Sequence, residues 1–164
     1  MNADQLSFEA LGRHAATREE AELGQSLATA RRDALMAAGE TLVTESTFSH
    51  PSKLDLIRRA RTLGYEVVVY HLNLESADDA VIRVAAREAR GGHPVPEAQI
   101  RGRYERNQPL IREAVLMADR ALVFDNSAIG RPPRRLIGFA GGRVRDVAAD
   151  LPTWAAELYA EHVG

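Results

Sequence analysis

The sequence has no cysteine, a single lysine and few aromatic residues. Without cysteine the chain has no disulfide, zinc–thiolate site or thiol nucleophile, and we expect a cytoplasmic location. The lysine is Lys53, so any reaction that needs a positioned lysine depends on it alone. No apolar run approaches about 18 residues, and charged residues are frequent near the start. We therefore expect neither a transmembrane helix nor a secretory signal.

What is present is the composition of a soluble globular domain. The chain has 164 residues, of which 45% are hydrophobic and 27% are charged, which is enough to build one core. No linker or repeat divides it, so the sequence predicts a single domain over 1–164. The formal net charge of −2 argues against a protein that coats nucleic acid. We expect neither nucleic acid nor a membrane as a partner.

Helix and strand patterns alternate along the chain. Helical spacing or terminal signals predict helices over 17–38, 51–63, 77–90, 96–118 and 152–162. Thr17 and Glu20 fit a capping box at the start of the first of these helices. Short apolar runs predict strands over 40–45, 65–72 and 121–124, followed by a hairpin over 134–147. Valine-rich strands that alternate with helices are typical of an α/β fold with a parallel sheet.

Polar side chains follow two of the predicted strands. Glu45, Ser46 and Thr47 end the first strand, and Asp125 and Asn126 follow the third. An open α/β sheet binds its ligands at the carboxyl ends of its strands, where a carboxylate can accept a proton from a hydroxyl group. The alternative is that these residues are helix caps and turn formers. Histidines with ligand spacing are absent from the sequence, so we predict no transition-metal site.

The segment 83–112 contains seven arginines and is interrupted by the turn sequence RGGHPVPE. Two helices joined by such a turn predict a lid over this segment. Arginines on a lid suit phosphate, because the guanidinium fork pairs bidentately with phosphate oxygens. The alternative is a solvated helix face with ion pairs such as Arg101 with Glu105. A nucleic-acid-binding face is a third interpretation, although only Tyr104 lies among the arginines as a stacking group.

Several motifs recur in a familiar order: NAD at 2–4, ETLVTESTFS at 40–49, RRARTLGYEVVVYHL at 58–72, REARGGHPVPEAQIRGRYER at 87–106 and ALVFDNS at 121–127. Together they resemble the zeta-toxin-like family of P-loop kinases, especially its bacterial branch of small stand-alone predicted ATPases. The resemblance covers residues 2 to about 140. It implies a P-loop kinase-like, three-layer parallel sheet with a helical lid.

The resemblance also implies a function. The family's characterised members use ATP and Mg²⁺ to phosphorylate a hydroxyl group of UDP-N-acetylglucosamine, and an antitoxin protein is the partner that the resemblance suggests. Asp4 matches the proposed general base, and 45–47 match the substrate-side motif. Arg87 and Arg103 match the lid arginines that meet the ATP phosphates. The remaining nucleotide-side residues are Arg90, Arg106, Asp125 and Asn126.

The sequence departs from the family at one motif. It contains no G-x-x-x-x-G-K-[ST] loop, and it begins at the residues that follow the family's second strand. We therefore expect this chain alone to bind ATP weakly and to expose an unpaired sheet edge. Either a longer form is the active kinase, or the chain is a non-catalytic remnant that serves as an interaction module.

Overall fold

The computed structural model describes residues 3–13, 15, 17–90, 92 and 94–163, apart from the side chains of Asp4, Arg18 and Ala21. Its internal contacts divide the chain into two compact units, Met1–Thr47 and Phe48–Gly164. The single-domain organisation stays a prediction. No helix in these described ranges is long and apolar enough to cross a bilayer.

The first unit contains two helices, α1 (Ala3–Leu11) and α2 (Arg18–Ala37). The predicted capping box is confirmed at the start of α2, where the Glu20 N–H donates to the Thr17 hydroxyl at 3.2 Å and the Thr17 N–H donates to the Glu20 carboxylate at 3.3 Å. The two helices approach closely at Gly24, because a Cβ there would lie 2.8 Å from the Cβ of Ser7. Glycine is therefore required at this crossing.

The predicted strand over 40–45 is wrong, because this segment has no regular secondary structure. A strand needs a partner for its backbone N–H and C=O groups, and no strand of the described residues pairs with this segment. Val43 is 76% exposed, whereas β-branched side chains stabilise a strand by packing on a half-buried sheet face. The local strand propensity of this segment therefore does not produce a strand.

The second unit contains a four-stranded sheet. Its strands are β1 (Val68–Asn73), β2 (Arg120–Asp125), β3 (Arg134–Ala140) and β4 (Arg143–Val147), in that spatial order. The α/β class is confirmed, but the sheet is mixed rather than all parallel. β1 and β2 are parallel, whereas β3 and β4 form the predicted hairpin and run antiparallel to their neighbours. The short connection after β2 permits only an antiparallel neighbour, since a parallel one needs a crossover.

Helices complete the second unit: α3 (Ser52–Thr62), α4 (Ala77–Glu88), α5 (Glu97–Met117), α6 (Thr153–Leu158) and α7 (Ala160–Val163). α5 continues through Pro109, and the predicted terminal helix divides at Tyr159. The core lies between the sheet and these helices, and it includes Val115, Val123, Ile137, Phe139, Trp154 and Tyr159.

β1 is an edge strand, as expected from the sequence. It pairs with β2 and with no other strand of the described residues. Its buried side chains are His71 and Asn73, whereas Tyr70, on the alternate face, is 63% exposed. The carboxyl ends of β1 and β2 lie side by side, which places the polar residues that follow them next to each other.

Candidate functional site

A hydrogen-bonded turn joins the carboxyl ends of β1 and β2. The Asn126 N–H donates to the Asn73 carbonyl at 2.8 Å, and the Glu75 N–H donates to the Ser127 hydroxyl at 2.8 Å. Ser127 in turn donates to the Asp125 carboxylate from its hydroxyl at 2.5 Å and from its N–H at 3.0 Å. Asp125 therefore acts as a turn former here, which fixes the position of Asn126.

A cleft of about 290 Å³ opens between α4 and the loop that follows β2, and we call it the arginine cleft. Four arginines line it, together with an amide and apolar side chains: Arg83, Arg87, Arg90, Arg131, Asn126, Ile82 and Ile129. Arg83 and Arg87 are one helical turn apart on α4, so they share a face. Arg90 follows α4, and Arg131 comes from the opposite loop.

The four arginines have no ion-pair partner among the residues that the structure describes. Elsewhere in the same unit arginine is paired: Arg101 with Asp78 at 2.6 Å, Arg120 with Glu66 at 2.8 Å and Arg135 with Asp146 at 2.6 Å. Because like charges repel, a cluster of unpaired guanidinium groups favours the approach of an anion. Phosphate suits it best, since the guanidinium fork matches phosphate oxygens.

Arg83 also braces the turn at the end of β2. Its guanidinium donates to the backbone carbonyl of Asn126. This contact ties α4 to the turn and sets one side of the arginine cleft. On the other side Ile129 is 79% exposed, which leaves an apolar surface beside the charges. A ligand with both a flat apolar ring and an anionic group would satisfy both parts of the cleft.

The structure brings together three of the residues predicted as a site. Arg87, Arg90 and Asn126 all line the arginine cleft, and Asp125 lies directly before Asn126. Arg83 and Arg131 were not predicted as site residues. Arg83 could have been predicted, because it is four residues before Arg87 in a predicted helix and so shares its face. Arg131 carried no such signal, because only the tertiary fold brings its loop to α4.

Arg103 and Arg106 lie on α5 and are exposed, and neither lines the arginine cleft. Arg106 folds along its own helix, since its Nη1 lies 3.0 Å from where a Cβ on Gly102 would be. The predicted Arg101–Glu105 pair is wrong. Arg101 pairs instead with Glu97 at 2.8 Å and with Asp78, because the start of α4 lies beside the start of α5.

The other predicted residues belong to the first unit. Asp4 lies on α1, and its side chain is outside the described part of the structure. Glu45, Ser46 and Thr47 are exposed on the irregular segment after α2. They do not end a strand, so the strand-end argument for them is wrong, and their substrate-side role stays a prediction from the family.

Among the residues that the structure describes, no group of three or more histidine, aspartate and glutamate side chains gathers to hold a metal ion. No described residue is assigned to Mg²⁺.

The zeta toxin family model matches residues 10–129, which include α4, α5 and β2. The chain belongs to the zeta toxin family. Kinase-type phosphotransfer is the activity that this membership indicates. The matched residues include the lining of the arginine cleft from α4 and from the opposite loop as far as Ile129. Comparison with curated proteins gave no match, and comparison with solved structures gave none.

Proposed function

We propose that this chain carries the lid and the nucleotide-side wall of a kinase that transfers a phosphoryl group from ATP to a hydroxyl group of a small molecule. The arginine cleft is the observation that supports the proposal. Its guanidinium groups are unpaired among the described residues, and most of them lie within the zeta toxin match. Transfer of a phosphoryl group needs such charges, because they stabilise the negative oxygens in the transition state.

In this proposal Arg87 and Arg90 bind the phosphates of ATP, and Asn126 and Ile129 lie beside its adenine ring. The acceptor hydroxyl attacks the γ-phosphorus, ADP leaves, and the hydroxyl proton passes to the carboxylate of Asp4. The segment 45–47 binds the acceptor. Mg²⁺ bound with ATP would neutralise part of the phosphate charge.

The acceptor that we propose is a nucleotide sugar such as UDP-N-acetylglucosamine. Its source is the family resemblance, and transfer is proposed for a longer protein that contains a G-x-x-x-x-G-K-[ST] loop. Such a loop holds phosphates with its backbone N–H groups and its lysine, and Lys53 has no glycine-rich neighbourhood that could replace it. For the 164 residues alone we expect binding of phosphate groups without rapid transfer.

Calorimetric titration of the 164-residue chain with tripolyphosphate at low salt tests the arginine cleft directly. Arg87→Ala should weaken binding about tenfold, since a charge-assisted hydrogen bond contributes about 1.5–3 kcal/mol. Arg143→Ala is the matched control, because Arg143 is exposed on β4 and outside the cleft. Equal losses of affinity in the two variants would show that binding depends on overall charge and not on the cleft.

Transfer is tested in the product of the gene read upstream of Met1. If an in-frame G-x-x-x-x-G-K-[ST] loop precedes these residues, the longer protein should consume ATP with the acceptor. Asp4→Asn should then abolish transfer while ATP still binds, because it removes the base and leaves the arginine cleft intact. A longer protein with no affinity for ATP would overturn the kinase proposal.

A non-catalytic interaction module of the same fold is the second candidate. The lack of a G-x-x-x-x-G-K-[ST] loop in the 164 residues favours it, and an antitoxin protein would be a partner of this kind. This candidate predicts a cooperative thermal transition that does not move when ATP and Mg²⁺ are added. Stabilisation by ATP would contradict it, since a ligand that binds only the folded state raises the transition temperature.

A further inference from the structure

A second cleft, of about 440 Å³, lies in the same unit beside the carboxyl end of β1, and we call it the acidic cleft. Its wall combines two carboxylates, two aromatic rings, an amide, a hydroxyl group and an apolar side chain: Glu75, Glu157, Tyr104, Trp154, Gln108, Thr153 and Leu158. The proposed kinase uses none of these residues. The part of the wall that α6 supplies lies beyond the residues that match the zeta toxin family.

Hydrogen bonds to the end of β1 hold the wall in place. The Tyr104 hydroxyl donates to the Leu74 carbonyl at 2.8 Å. Gln108 and Asn73 exchange two hydrogen bonds through their amides, at 3.1 Å and 3.3 Å. Tyr104 and Gln108 are thus already engaged within the protein. A preformed wall of this kind loses little conformational entropy when a ligand binds.

The charged groups in the wall are both carboxylates, and the neutral Thr153 hydroxyl can donate or accept. The carboxylates of Glu75 and Glu157 are exposed, and neither forms an ion pair with a residue of the described ranges. The cleft wall also contains no lysine, arginine or histidine among those residues. Burial and the negative charges of Glu75 and Asp79 raise the pKa of Tyr104, which is consistent with a negative potential in the cleft. The charges of the wall therefore favour a ligand that carries positive charge.

The aromatic rings limit the ligand further. Trp154 is held edge-to-face against the His71 ring, with centroids 5.5 Å apart, and Tyr104 is fixed by its hydroxyl group. Trp154 is 7% exposed, so only a small part of its ring reaches the cleft. The Tyr104 ring can attract a cation, and Leu158 adds an apolar surface. We propose that the acidic cleft binds an ammonium or guanidinium group carried on an apolar stem, either as a free amine or as a basic side chain of a polypeptide.

Trp154 is the chain's single tryptophan, so its fluorescence reports on this cleft. We expect a saturable change when butylguanidinium is added to the 164-residue chain. Butylurea, which is neutral and nearly the same shape, should produce no saturable change. A saturable response of equal affinity to both compounds would overturn the proposal, because the cleft would then recognise the stem and not the charge.

Glu75→Gln and Glu157→Gln should each weaken butylguanidinium binding about fivefold, as expected for a partly exposed ion pair. Glu105→Gln is the matched control, since Glu105 is exposed on α5 and does not line the cleft. The double variant with Gln at both positions should first be shown to unfold at the wild-type temperature. If it then bound butylguanidinium with unchanged affinity, the proposal would also be overturned. Tighter binding of acetyl-arginine amide than of butylguanidinium would indicate a polypeptide source, and the reverse order a free amine.

Discussion

The arginine cleft keeps its charges at the surface, without ion-pair partners among the described residues, whereas the core behind the acidic cleft buries polar rings and pairs His71 with Tyr159. In that core the His71 Nδ1 and the Tyr159 hydroxyl lie 2.9 Å apart, and the rings of His71 and Trp154 meet edge-to-face. Unpaired surface charges add little to stability but are ready for a ligand. Buried, paired polar groups stabilise the fold and are not available for binding. Changes in the two regions should therefore separate binding from stability.

Acid should affect the buried core first, and this is the largest effect that we expect. Burial lowers the pKa of His71 to about 4 in the folded state, against 6.5 in the unfolded chain. Between these values the unfolded state binds more protons, so the free energy of unfolding falls as the pH falls. The contribution of His71 is complete above pH 6.5, and about 3 kcal/mol of it is lost by pH 4.

Urea unfolding between pH 7.5 and pH 4 measures this loss. His71→Gln should flatten the pH dependence between pH 6.5 and pH 5, where few carboxylates titrate. His50→Gln, at an exposed histidine, should keep the wild-type pH dependence. If His71→Gln kept the wild-type slope, another group would be responsible for the loss of stability in acid.

Tyr159→Phe should cause the next largest loss of stability. It tests whether the stability of the core and binding at the arginine cleft are independent. The variant removes the hydroxyl that partners the buried His71 Nδ1, and burying that nitrogen without a partner costs about 1–3 kcal/mol. Chemical denaturation should show this loss, while calorimetry should show tripolyphosphate affinity within twofold of wild type. A large loss of affinity would mean that the core positions the arginine cleft.

Sequence patterns predicted the parts of this fold that depend on neighbouring residues. The capping box at Thr17, the strands β1 and β2 and the hairpin over 134–147 all follow from local signals, and all are confirmed. The strand over 40–45 failed because a strand also needs a partner that its own residues do not specify. The same limit explains the mixed sheet, since the direction of β3 depends on its pairing with β2.

The candidate site divides in a similar way. Arg87 and Arg90 could be predicted because the family's lid motif contains them, and Arg83 could have been predicted because it shares a helix face with Arg87. Arg131 could not, since a loop from the other side of the cleft brings it there. The acidic cleft was missed for the same reason: Glu75 and Glu157 are far apart in sequence, and only the packing of α6 places them on one wall.

Ser127→Ala tests the turn that lies between the two regions, with a smaller expected effect. The Ser127 hydroxyl accepts from the Glu75 N–H and donates to the Asp125 carboxylate, so its loss should lower the free energy of unfolding by about 1 kcal/mol. Tripolyphosphate binding should weaken only two- to threefold, because Arg83 still braces Asn126. Ser127→Thr retains the hydroxyl group, so it should keep most of the wild-type stability and most of the tripolyphosphate affinity. A variant with unchanged stability would show that the turn holds without this side chain.

The smallest effect is expected where arginine is already paired at the surface. Arg135 contacts both carboxylate oxygens of Asp146 at 2.6 Å across the β3–β4 hairpin, and both side chains are about half exposed. Solvent and salt screen such a pair, so Arg135→Ala should change the free energy of unfolding by about 0.5 kcal/mol or less. Arg135→Ala removes one positive charge, as Arg87→Ala does, yet tripolyphosphate affinity should stay within twofold of wild type. A tenfold loss in this variant would mean that net charge, and not the arrangement of unpaired arginines, determines anion binding.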